Sequence, residues 1–118
     1  MGSKYWKPGV DLREMIPQTL LAWDVAAEVY ERHGKFCRVT SLYRQGAWDQ
    51  VLLHGKGAAI DLGLRDLDGN QFDGLTTDSI VDELTHRLGK PFGGQYDVVD
   101  ERGAPGGPHI HIEFDPKA

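Results

Sequence analysis

Strict alternation over His109–Phe114 constrains this chain more than any other feature of its sequence. Ile110, Ile112 and Phe114 fall on one side of an extended segment, and His109, His111 and Glu113 fall on the other. A second segment, Ala58 to Leu64, behaves alike. Ile60, Leu62 and Leu64 share one side, while Ala59, Asp61 and Gly63 share the opposite one. Strands patterned this way bury one face and leave the other open. If both lie in one antiparallel sheet covered by helices on a single face, Asp61, His109 and His111 emerge together on the open face.

Helices to cover such a sheet are signalled as well. Pro17 suits a first helical turn, where its missing N–H costs nothing. Leu20, Trp23, Ala27 and Tyr30 repeat at helical spacing, with Leu21, Val25 and Val29 widening the stripe, and Gly34 follows as a stop. The pattern predicts a helix over 17–32 with Trp23 and Tyr30 in the core. A second helix is predicted over about 77–88, with Thr77, Asp78 and Ser79 as capping candidates and Ile80, Leu84 and Leu88 as its apolar row. Short strands are expected over 36–41 and 95–99. Residues 1–16 read as an irregular arm, and 42–53 as a loop with one helical turn. Asp66 to Asn70 resembles a calcium loop but lacks its terminal acid, so Asp68-Gly69 is read as a hairpin turn. A Gly/Pro-rich turn, Asp100 to Pro108, leads into the last strand. The expectation is one α+β domain over residues 1–118. It has a small antiparallel sheet, helices packed on one face and a metal site on the open face.

A single domain of 118 residues buries enough surface for a core without disulfide staples. The formal charge of −5 is spread along the chain, and no Lys/Arg cluster with interleaved aromatics appears, which excludes a nucleic-acid partner. No stretch is long and apolar enough for membrane insertion. No signal peptide is read at the N-terminus. Localisation stays open between release from the cytoplasm, as in phage, and a trimmed secreted protein. A monomer is expected. Cys37, the single cysteine, lies in an apolar run beside no other soft donor and reads as a buried residue. His33 and His86, near helix ends, read as solvent-facing.

His54, in the stretch His54-Gly55-Lys56-Gly57-Ala58-Ala59-Ile60-Asp61, can reach the open face from the loop before its strand. His54, Asp61 and the pair His109/His111 then supply three or four nitrogen and oxygen donors of the kind zinc takes. Three protein ligands leave a position for water, and water acidified by the metal attacks an amide carbonyl. Either half alone is a weak signal, since His-x-His on a strand is often plain surface. Both halves on period-two segments predict a mononuclear zinc hydrolase, with one Zn2+ per chain.

His54-x-x-Gly57-x-Ala59-x-Asp61 followed by His109-x-His111 resembles the metal signature of the lysostaphin/D-Ala-D-Ala metallopeptidase/hedgehog superfamily. Ser41-x-Tyr43-Arg44 is similar to the Ser-Gly-Tyr-Arg element that precedes the metal histidine in its D-Ala-D-Ala carboxypeptidases and related phage endolysins. The resemblance covers about Ser41 to Phe114. It implies His54, Asp61 and His111 as zinc ligands. Arg44 then polarises the scissile carbonyl or holds a substrate carboxylate. The implied reaction is hydrolysis of peptide bonds in bacterial peptidoglycan, by a carboxypeptidase or endopeptidase. Two positions depart from the carboxypeptidase pattern: Leu52 replaces a serine, and Pro108 stands where an acidic base is expected. His109-x-His111 resembles instead the lysostaphin and murein endopeptidase branches, which makes His109 the candidate base or transition-state stabiliser. Asp97, Asp100, Glu101 and Glu113 remain alternative bases. The missing acid also leaves open a non-catalytic zinc-stabilised module that binds cell-wall peptides.

Overall fold

The computed structural model describes residues 4–43 and 58–115. The chain runs through β1 (Lys4–Trp6), α1 (Pro17–Arg32), β2 (Cys37–Tyr43), β3 (Ala59–Gly63), α2 (Gly74–Arg87), β4 (Tyr96–Glu101) and β5 (His109–Phe114). Single 3-10 turns lie at Leu12–Glu14 and Lys90–Phe92. The five strands form one sheet in the order β1-β2-β3-β5-β4. The fold is α+β, as the alternation and helix signals predict.

The sheet is mixed rather than antiparallel. β2–β3, β3–β5 and β5–β4 pair antiparallel, but β1 runs parallel to β2. Parallel neighbours need a crossover connection, and α1 provides it between β1 and β2. The arm read as irregular through Ile16 therefore contains an edge strand. At three residues, with Tyr5 and Trp6 both exposed, β1 is too short to show a period.

One core lies between the sheet and the helices. Ile60, Leu62, Leu64, Ile110 and Ile112 meet Trp23, Val29 and Tyr30 of α1 and Ile80 and Leu84 of α2, all in a single buried cluster. The buried stripe of α1 is rotated from the predicted one. Leu20 and Leu21 are 45% and 41% exposed, while Thr19, Ala22 and Ala26 are buried. Small side chains let α1 lie close against the sheet, which pushes the leucines to the rim. Gly34 ends α1 in the left-handed conformation (φ 70°), and its N–H donates to Glu31 O at 2.9 Å. Tyr30 Oη reaches under the sheet and donates to Gly63 O at 3.1 Å, tying α1 to the end of β3.

Helix α2 starts earlier than its capping signals suggest. Asp73 caps it, accepting from Thr76 N at 2.7 Å, so Thr77, Asp78 and Ser79 lie inside the helix. That backbone hydrogen bond, with help from the Thr76 hydroxyl, holds the Asp73 carboxyl below its usual range. The excursion between β3 and α2 is the polar turn expected, with Gly69 at φ 90° after Asp68. The strand predicted over 95–99 runs on to Glu101. The loop predicted over 42–53 begins as strand at Leu42 and Tyr43, and its remainder lies outside the described residues. His86 is exposed, whereas His33 is half-buried with Nε2 3.4 Å from Glu83. No described helix is long and apolar enough to cross a membrane.

Cys37 is buried at 1% exposure, and burial pushes its thiol far above the neutral range. Thiol reagents at neutral pH should therefore label Cys37 only as fast as the chain opens, read by mass spectrometry against time. Labelling at the rate of an exposed thiol would contradict this packing.

Candidate metal centre

The register of β5 with its two neighbours assembles the site. Asp61 is the direct cross-strand partner of His111, Gly63 of His109, and Ala59 of Glu113. From the other side, Glu101 stands opposite His109, Val99 opposite His111, and Asp97 opposite Glu113. Because Ile60, Leu62, Ile110 and Ile112 point into the core, these rows occupy the face away from the helices. Directly opposed residues have Cβ atoms roughly 4.5–5.5 Å apart, close enough for their polar ends to meet.

They do meet. His111 Nδ1 lies 2.8 Å from Asp61 Oδ1, and its Nε2 lies 3.2 Å from Glu113 Oε1. His109 Nδ1 lies 2.9 Å from Gly107 O, which can only accept, so Nδ1 carries a hydrogen. His109 Nε2 is 2.8 Å from Glu101 Oε1 and 3.7 Å from Asp61 Oδ2. Asp61 is only 5% exposed, closed over by these imidazoles rather than bare beside its small neighbours.

Electrostatics favour a cation here. Burial alone would make the His111 imidazolium less stable. Hydrogen bonds that its N–H groups donate to Asp61 and Glu113, together with the charges of those carboxylates, outweigh that effect and raise its pKa above the ordinary 6.5. Donor atoms of Asp61, Glu101 and His111 all lie within 4.8 Å of one another. Ligands of a tetrahedral zinc site stand roughly 3.4 Å apart, so these three side chains are candidates to hold an ion. Glu113 adds a second fit. With His111 Nδ1 turned to the metal group, Glu113 receives the N–H of Nε2, the carboxylate–histidine arrangement that orients a ligating imidazole.

The structure thus brings together Asp61, His109 and His111 from the predicted set. His54 and Arg44 lie outside the described residues. Among the acids considered as base, Glu101 is the one against His109. Asp100 points away from that row and is tied to Arg102, which holds its carboxyl below the usual range. Asp97 and Glu113 face each other two rows further along, beyond Val99 and His111, with Asp115 near them. Alternation along β4 puts Asp97, Val99 and Glu101 on the open face. That signal was available in the sequence once the strand was continued to Glu101.

No family model, no curated protein and no solved structure matches this chain.

Proposed function

We propose that this protein is a zinc-dependent hydrolase of peptide bonds in bacterial peptidoglycan. The observation that carries this reading is the convergence of Asp61, His111 and Glu101 on one point of the open face, with Glu113 behind His111. Asp61 Oδ1 and His111 Nδ1 would hold the ion, with His54 as the third ligand on the strength of its motif. Zinc bound there would acidify a water molecule and draw electrons from a carbonyl. Glu101 would take the proton from the attacking water. His109, within hydrogen-bond distance of Glu101 through Nε2 and of Gly107 O through Nδ1, would receive that proton from Glu101 and pass it to the leaving amine. Arg44 remains the candidate for polarising the carbonyl or holding a substrate carboxylate. The peptidoglycan substrate rests on the resemblance carried by Ser41 to Phe114.

The test is mass spectrometry of peptidoglycan peptides digested with the purified protein, with zinc, with chelator, and with zinc restored. Hydrolysis that disappears with chelator and returns with zinc is expected. Zinc uptake without any cleavage would leave only a metal-stabilised binding module, and cleavage indifferent to chelator would overturn the reading.

The raised pKa of His111 fixes a pH dependence. Without metal, the imidazolium is held by Asp61 and Glu113. Its stabilising contribution is complete below pH 6.5 and is lost as pH rises through the higher folded value. Zinc must displace that proton, so zinc affinity weakens as pH falls through the same value. Melting curves across pH 5–9 should therefore show zinc stabilisation growing with pH. A zinc effect unchanged over that range would contradict the role of His111.

A further inference from the structure

A cleft of about 260 Å³ opens beside His109, at the end of β3 where Gly63 and His109 are paired. Lys7, Arg38 and Arg65 all contribute to its walls, from the segments following β1, within β2 and following β3. This is unusual in a chain of formal charge −5. Other cations are matched by carboxylates: Lys4 by Asp24, Arg13 by Asp11, Arg32 by Glu83, Lys35 by Asp66, Arg87 by Glu28, and Arg102 by Asp78 and Asp100. Among the described residues, Lys7, Arg38 and Arg65 have no such partner, and Lys90, which is likewise unmatched, is not part of the cleft. Arg65 Nη1 donates to Gly69 O at 2.9 Å, a neutral partner that fixes the side chain without neutralising it.

Gathering three like charges in one cleft is unfavourable unless an anion offsets them. The position of the cleft says which anion. A strand advances roughly 3.3 Å per residue, so Gly63 stands roughly 6.6 Å along β3 from Asp61. A group in the cleft would belong to the same peptide as a bond held at the metal group, one or two residues from it. Peptides carry negative charge as carboxylates, and Arg38 and Arg65 match the carboxylate fork. We propose that the Lys7/Arg38/Arg65 cleft is a carboxylate subsite that selects peptides bearing a free carboxylate one or two residues from the bond to be cut. The proposal rests on the peptidase reading for its ligand class.

The test is NMR titration of the full chain with acetyl-alanyl-alanine, its C-terminal amide, and acetyl-glutamyl-alanine amide. The free acid should shift the amide signals of Gly63, Gly106 and Gly107 and bind at least fivefold tighter than the amide. Lys7→Gln, at an exposed position outside the sheet, and Arg38→Gln should each weaken it at least fivefold. If the glutamyl peptide also binds tightly, a side-chain carboxylate occupies the subsite; if it binds like the plain amide, the terminal carboxylate does. Either pattern supports the subsite. Equal binding of acid and amide, no binding by any of the peptides, or indifference to both substitutions would overturn it. Binding and hydrolysis are separate readouts. Carboxylate preference without cleavage would sink the hydrolase alone, and cleavage blind to amidation would sink the subsite alone.

Discussion

Asp61→Asn should abolish stoichiometric zinc binding while leaving the chain folded. Asparagine preserves the volume of a residue that is 5% exposed and packed between β2 and β5, but it removes the charge that faces His111 Nδ1 at 2.8 Å. Two effects combine. The anionic oxygen that zinc takes is lost, and the imidazolium of His111 loses the stronger of its two carboxylate partners, so its pKa should fall back toward 6.5. Competition against a chromophoric chelator should show a loss larger than the roughly 10–100-fold that follows removal of an outer-shell partner. Glu113→Gln supplies that comparison, because it removes only the carboxylate behind His111 Nε2. Hydrolysis should vanish in the Asp61 variant and persist, weakened, in the Glu113 variant.

Trp23→Ala should cost about 3–5 kcal/mol of stability, the usual range for deleting a buried large aromatic. Trp23 is 2% exposed at the centre of the α1 stripe. Its ring also meets Trp6 edge to face, with centroids 6.1 Å apart and planes at 84°. Through that contact α1 supports β1, which pairs with the sheet along β2 over only three residues. Domains of this size have about 5–15 kcal/mol in total, so urea denaturation should show a much lower midpoint. Amide exchange should accelerate first in β1. Unchanged exchange at Lys4–Trp6 would show that the strand is held by its ladder alone.

The two halves of the site were legible in the sequence to different depths. Over His109–Phe114 the polar and apolar residues alternate without exception, so strand, bounds and faces all follow from the residues. Helix α1 is equally legible in its bounds because Pro17 and Gly34 mark both ends, although its buried stripe is rotated toward the small residues. What alternation cannot supply is register. It places Asp61 and His111 on one face, but only the pairing of β3 with β5 makes them direct neighbours. The same limit hid the acid beside His109. Glu113 lies beyond the ligands, but a strand ended at Val99 does not rank Asp97, Asp100 and Glu101, and the β4–β5 register sets Glu101 opposite His109. The start of α2 was hidden for a local reason. Gly74 is a poor helix former and Leu75 is 83% exposed, so neither reveals that Asp73 already caps the helix.

Zinc K-edge absorption of the zinc-loaded protein tests the metal centre most directly. One zinc per chain is expected, in a shell of nitrogen and oxygen donors at about 2.0–2.2 Å. Sulfur at about 2.3 Å should be missing, because Cys37 is buried in the core. The signal should be lost in Asp61→Asn and His111→Ala. A sulfur shell, or a full zinc complement that survives both substitutions, would contradict it.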